Sequence, residues 1–162
     1  MALTPTQIAV LAADIQTHPE LEPFYLGEAN DTIAIRNYYN EASPTLADCW
    51  KTFLSLLDVL NVVNWTEFIG RSQGERDAFR MMFMGTQGVN PSRSNIRQGF
   101  LDIFSGPGGA TTRVALTALA KRKMTRAERL FATNGSGVFT LTFEGLIISE
   151  DINAALPLVP GN

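Results

Sequence analysis

Few side chains in this 162-residue chain are of the kinds that perform chemistry. The single histidine, His18, stands before Pro19 in a loop where no acid or thiol is expected beside it, so neither a metal site nor a histidine base is expected. The single cysteine, Cys49, leaves no intrachain disulfide and reads as a small core residue. As a nucleophile it would need His18, and nothing in the sequence brings the two segments together. The stretch from Gly106 to Thr112, Gly-Pro-Gly-Gly-Ala-Thr-Thr ahead of a helix, invites a phosphate-loop reading because backbone amides at a helix N-terminus attract anions. It lacks the Gly-Lys-Ser/Thr ending and the preceding hydrophobic strand of that loop, so a tight interhelix connection is the simpler reading. No serine sits in a Gly-x-Ser-x-Gly elbow. The carboxylate pairs Glu150-Asp151 and Glu20/Glu22 fall where such groups are ordinarily solvated. No catalytic, cofactor or metal residue is assigned, and an enzyme is not expected.

What remains is electrostatic. Residues 1–70 carry nine acids against two bases, residues 71–131 eleven bases against four acids, and residues 132–162 three acids and no base. This gives local balances of −7, +7 and −3 within a net charge of only −3. Such asymmetry can join opposite faces of neighbouring copies, present a basic face to nucleic acid, or be paired within one monomer. The densest basic segment is Lys121-Arg122-Lys123 with Arg113, Arg126 and Arg129, the candidates for electrostatic contact between subunits or for facing DNA. Few aromatics are interleaved to stack bases, so any nucleic-acid contact is expected to be nonspecific. Arg71, Arg76 and Arg80 form a second basic group, expected to be solvated or paired with Glu75 or Asp77.

The elements that must position these groups are mostly helical. Thr4-Pro5-Thr6-Gln7, Ser72-Gln73-Gly74-Glu75 and Thr125-Arg126-Ala127-Glu128 each have the form of a capping box, in which the first side chain accepts from a backbone N–H and the fourth reaches back. The first helix is expected to end near Thr17, with an ordered loop following to Asp31. Asn30 or Asp31 caps a second helix carrying Ile33, Ala34, Tyr38 and Tyr39. Ser43-Pro44 opens a longer third helix in which Leu46, Trp50, Phe53, Leu54, Leu57 and Leu60 make a buried stripe, with a break near Asn61–Asn64. Phe79, Met82 and Phe83 face inward on a helix stopped by Gly85. Asn90-Pro91 opens another, with Ile96, Phe100, Leu101 and Phe104. A helix over 110–123 turns Val114, Ala115, Ala118 and Leu119 inward, and a short one follows the third capping box. Beyond Gly137 the period becomes two: Phe139, Leu141 and Phe143 alternate with polar residues, Leu146-Ile147-Ile148 continues, and Ser149 caps a last helix. An isolated hairpin is marginal in water, so this pair either folds over the helices or adds its edge to a neighbouring subunit.

The expected fold is therefore mainly α: a helical bundle of about six helices over residues 1–133, with residues 134–162 as a C-terminal β-hairpin or extended arm. Hydrophobic content of 45% and charged content of 18% exclude a disordered chain and leave apolar surface for partners. No apolar run approaches the about 18 residues needed to cross a bilayer, and no basic leader precedes the first helix, so neither membrane insertion nor secretion is expected.

Four motifs carry a family resemblance: Asn37-Tyr38-Tyr39-Asn40, Phe104-Ser-Gly-Pro-Gly-Gly-Ala110, Arg126-Ala-Glu-Arg-Leu-Phe-Ala132 and Thr142-Phe-Glu-Gly145. Across about residues 35–152 the chain resembles a family of small tailed-bacteriophage virion proteins, most like a head–tail connector, or neck, adaptor. The resemblance implies a structural protein without cofactor, built into the virion after assembly in the host cytoplasm. It implies a homo-oligomeric, dodecameric ring docking between portal and tail, with portal and other neck or tail proteins as partners and nonspecific contact with packaged DNA. A capsid cement or tail-tube protein, or a small nonspecific DNA-binding protein, is the alternative. Phe139, Leu141 and Phe143 are the candidates for strand-mediated assembly.

Overall fold

The computed structural model describes residues 2–26, 30–44, 48–133 and 138–160. In chain order the first elements are α1 (Pro5–Ile15), α2 (Glu22–Tyr25), α3 (Thr32–Asn40), β1 (Asp48–Trp50) and β2 (Leu54–Ser55). Then come α4 (Leu56–Val62), α5 (Trp65–Ile69), α6 (Gln73–Met82), β3 (Gly88–Val89) and α7 (Ser94–Ile103). The last are α8 (Ala110–Leu119), β4 (Lys121–Lys123), α9 (Arg126–Phe131) and α10 (Ser149–Ala155). The protein is mainly α, as expected, but the described residues hold ten α-helices rather than about six, several of only one or two turns. Contacts divide the chain into two compact units: residues 1–47 with 123–162, and residues 48–122. That division cuts across the boundary expected at residue 133.

In the first unit, Thr4 and Gln7 close a complete capping box on α1. Asp31 caps α3 by accepting from the Ala34 N–H at 2.9 Å, and Thr125 and Glu128 close the box on α9. The helices bury Leu11 and Ile15 from α1, Ile35 and Tyr39 from α3, Ala127 from α9, and Ile152 and Ala155 from α10. On α3 the inward face is thus Ile35 and Tyr39, while Ile33 is exposed.

The C-terminal segment belongs to this core. Phe143, Ile147, Leu156 and Val159 are buried with the helices, and Phe143 meets Phe131 edge to face at 5.5 Å between ring centroids. The expected hairpin is absent among the described residues, where this segment forms an antiparallel bridge, Thr133 with Thr140. Side chains meet several of its backbone groups. The Asn40 amide donates to the Ile147 carbonyl at 2.8 Å and accepts from the Ile147 N–H at 2.9 Å. Glu128 accepts from the Gly145 N–H at 3.3 Å. Buried Asp151 accepts from Ile148 N–H at 3.1 Å and from Leu3 N–H at 2.9 Å, tying the two ends of the chain together. An extended strip needs no neighbouring strand once its donors are met in this way.

The second unit packs α4 against α8 and α6 against α7. Its centre is aromatic: Phe79 lies 5.2–6.4 Å from Phe68, Phe83, Phe100 and Phe104 between centroids. The third capping box is complete here too, Ser72 with Glu75 at the start of α6. Gly85 adopts φ 75°, the left-handed turn after α6 that favours glycine.

The long helix expected from Ser43-Pro44 does not form. Leu46 lies outside the described residues. Trp50 is in β1, which pairs with β4, and Leu54 is in β2, where it faces Val89 of β3 in antiparallel register. Helix begins only at Leu56, where the Ser55 hydroxyl accepts from the Asp58 N–H at 3.1 Å. Phe53 and Leu57, expected in the buried stripe, are 59% and 67% exposed. Phe53 instead lies over Gly88, whose missing side chain allows the Leu54 carbonyl and that ring to approach. The break expected near Asn61–Asn64 is present: Asn64 ends one helical stretch and caps α5 through Thr66 and Glu67 N–H. Helix α8 stops at Leu119, not Lys123, because the chain turns into β4. It buries Thr112 and Leu116, with Val114 and Ala118 turned to solvent.

Candidate functional site

His18 is less isolated than its position in sequence implies. It follows α1 by one turn, so its Nε2 lies 3.4 Å from Oδ2 of Asp14, while Nδ1 lies 3.3 Å from Glu20 and 3.1 Å from the Tyr38 hydroxyl. The neighbouring acids that the loop reading missed come from the helical i, i+4 spacing of Asp14 and His18 and from the turn at Pro19–Leu21. Tyr38 donates to Glu20 at 2.9 Å and Tyr39 to Asp14 at 2.7 Å. Burial, then the Glu20 hydrogen bond, pushes the Tyr38 phenol up to about 12, and burial followed by Asp14 raises that of Tyr39. Glu20 is lowered by its own backbone N–H and then by Tyr38.

This cluster borders a cavity of about 430 Å³ that also meets Ser43, Pro44, Arg126, Arg129 and Leu130. Ser43 in the same wall suggests a serine–histidine–aspartate arrangement. Yet one ring nitrogen faces Asp14 and the other faces Glu20 and Tyr38, so His18 is committed to three neighbours and is not aimed at a nucleophile. Cys49 is buried and its thiol donates to the Arg122 carbonyl at 3.6 Å, which makes it a core residue of the second unit. Among the described residues no group of three histidine, cysteine or acidic side chains is placed to hold a metal ion. No described helix is long and apolar enough to cross a membrane.

The glycine-rich stretch does end on an anion at the α8 N-terminus, but the anion is the protein's own. Glu67 accepts from Thr111 N–H at 3.0 Å and from Thr112 N–H at 2.8 Å. Contacts to Thr112, then to Thr111, bring its carboxyl down to about 2. The preceding turn is held by Arg71, whose guanidinium donates to the Ser105 and Gly108 carbonyls, and by Arg113, which donates to Phe104 and Gly106. The loop is therefore a structural connection whose anion position is filled.

The six cations singled out in sequence do not share one unit. Arg113, Lys121 and Arg122 belong to the second, and Lys123, Arg126 and Arg129 to the first. Arg126 pairs with Glu41 at 2.8 Å, donates to the Tyr38 carbonyl and stacks on the Tyr38 ring at 4.2 Å. Its Nε is buried without a partner. Arg129 lies 5.2 Å from the Phe139 ring. Lys121 and Arg97 both approach the Trp50 ring, at 5.2 and 4.5 Å. Trp50 borders a second, mostly apolar cavity of about 250 Å³ with Pro91, Arg97, Phe100, Leu101, Arg113, Leu116, Thr117 and Ala120. Sequence reading placed Trp50 inside a helix stripe and so missed this groove.

Of the three candidate assembly-strand residues, Phe143 is buried and Phe139 and Leu141 are half-buried. The resemblance motifs also interlock with one another. Asn40 of the first holds Ile147, Glu128 of the third holds Gly145 of the fourth, and Thr142 of the fourth donates to the Phe131 carbonyl of the third. What those motifs encode most directly is a fold. No protein-family model, characterised protein or solved structure matches this chain.

Proposed function

We propose that this chain is a non-enzymatic structural protein of a tailed-bacteriophage virion, self-assembling into a ring that docks between portal and tail. The observation that carries the assembly reading is the surface of the second unit. Phe53, Leu57, Trp65, Ile69, Met81, Met84, Leu101 and Val114 are all exposed on a unit of residues 48–122, apolar side chains that a partner surface can cover. The committed state of His18 and Cys49 supports a non-catalytic role. The place in the virion rests on the resemblance of the four motifs, and the ring on the uneven charge, which suits head-to-tail contacts that close by rotation.

The chain is expected to sediment as a discrete oligomer of about a dozen copies and to appear as rings by negative-stain electron microscopy. A monodisperse monomer across the micromolar range overturns the reading. In purified particles, about a dozen copies per virion mark a neck ring; many tens to hundreds mark a capsid cement or tail-tube protein instead. Binding to duplex DNA as a free monomer, weakening steeply with salt, marks the nucleic-acid alternative.

A further inference from the structure

The two units carry opposite charge. The second has nine bases and six acids, net +3, and the first has ten acids and four bases, net −6. Each also presents a surface suited to the other's chemistry. On the second, the groove beside Trp50 is apolar, with Arg97, Arg113 and the adjoining Lys121 as its charges and no carboxylate in its lining. Leu101 on its α7 wall is 40% exposed. On the first, the extended run before α10 alternates: Ile147 is buried, while Leu146 and Ile148 point outward at 60% and 40% exposure and lead to exposed Glu150. Its backbone donors at Gly145, Ile147 and Ile148 are already used within the unit. With those donors used, the strip offers a partner its outward side chains.

We propose that the Leu146–Ile148–Glu150 strip of one copy docks in the Trp50 groove of a second copy, the two leucine and isoleucine side chains covering the apolar wall and the acid facing Arg97, Arg113 and Lys121. The inference rests on the self-assembly reading above and names its contact. Because strip and groove are different surfaces, the contact is heterologous: every copy uses one of each, and repetition closes a ring or runs on as a filament. Opposite charge at the rim orients the approach, and burial of the apolar side chains holds it.

The test uses the full chain in three forms: wild type, Leu101→Asp in the groove and Leu146→Asp on the strip. Both substituted side chains are exposed, so each variant is expected to keep the wild-type far-ultraviolet circular dichroism. Each alone is expected to sediment as a monomer. Mixed in equal amounts, they are expected to form a one-to-one dimer and nothing larger, since only the strip of Leu101→Asp and the groove of Leu146→Asp remain intact. Variants that assemble like wild type, or monomers that do not pair when mixed, overturn the contact. Assembly left intact while Leu101→Asp loses retention on duplex DNA would assign the groove to nucleic acid and overturn it as well. A wild type that is itself monomeric overturns instead the reading on which the contact rests. Should either aspartate variant lose helical signal, a Leu146→Cys chain mixed with a Thr117→Cys chain is expected to give an interchain disulfide on mild oxidation, and its absence counts against the docking.

Discussion

Asp151 is the most telling single residue to remove. It is 3% exposed, and its two oxygens accept from Ile148 N–H at the start of α10 and from Leu3 N–H, 148 residues earlier in the chain. Asp151→Ala leaves both donors unmet. Ile148 is partly exposed, so water can replace its lost acceptor, but Leu3 is buried and its N–H has no such recourse. A buried donor stranded in this way costs about 1–3 kcal/mol, and bonds to a charged acceptor stand at the upper end. With the smaller contribution of the helix start, the expected loss is about 2–4 kcal/mol. For a chain of this length that lowers Tm by roughly 5–15 °C. Asp151→Asn keeps one acceptor and turns an amide N–H toward the other donor, so it is expected to fall between wild type and alanine. Asn153→Ala, exposed on the same helix, is the control and is expected to stay within about 0.5 kcal/mol. The measurement is urea and thermal unfolding followed by far-ultraviolet circular dichroism. An Asp151→Ala protein less than about 1 kcal/mol weaker than wild type would refute the claim that this carboxylate pins the two ends of the chain together.

Three further outcomes are expected. Removal of residues 138–162 takes Phe143, Ile147, Ile152, Ala155, Leu156 and Val159 out of the first core, so the truncated chain should lose a large part of its helical circular dichroism; retention of the full signal would show the segment to be a dispensable arm. Glu67 has a folded-state carboxyl held down to about 2 from an ordinary 4.5, so between those values the unfolded chain binds more protons and stability rises with pH. The contribution is present above about 4.5 and lost as pH falls through about 2; Glu67→Gln should therefore show a shallower pH dependence of urea midpoints across that window, and an unchanged dependence would contradict the assignment. Gly88→Ala drives a methyl group into the Leu54 carbonyl and the Phe53 ring, so it should destabilise by about 1–3 kcal/mol in chemical denaturation, whereas Gly74→Ala, with open space around it, should be neutral or slightly stabilising.

The capping boxes at Thr4, Ser72 and Thr125 were legible because every atom they use lies within four residues, so the sequence states both partners of each bond. The stop at Gly85 and the break before Trp65 were readable for the same reason. The stretch from Ser43 to Leu60 was not. Its apolar spacing suits a helix, yet Trp50 and Leu54 lie in strands whose partners are β4 and β3, and the nearer of the two is still 35 residues away by the Leu54–Val89 pairing. A backbone pairing over that distance leaves no local trace.

Taken alone, then, the sequence determined the helical class and most helix starts, since these follow from local hydrogen bonding. Only the tertiary structure decided that Glu67 fills the anion position on α8, and that Asn40, Glu128 and Asp151 meet backbone groups of the C-terminal strip and of Leu3. Each of these is a polar side chain meeting a donor from another element, where burial makes an unmet group costly enough to select the partner. The same rule made the C-terminal segment, which the sequence left either folded over the helices or open at its edge, part of a core.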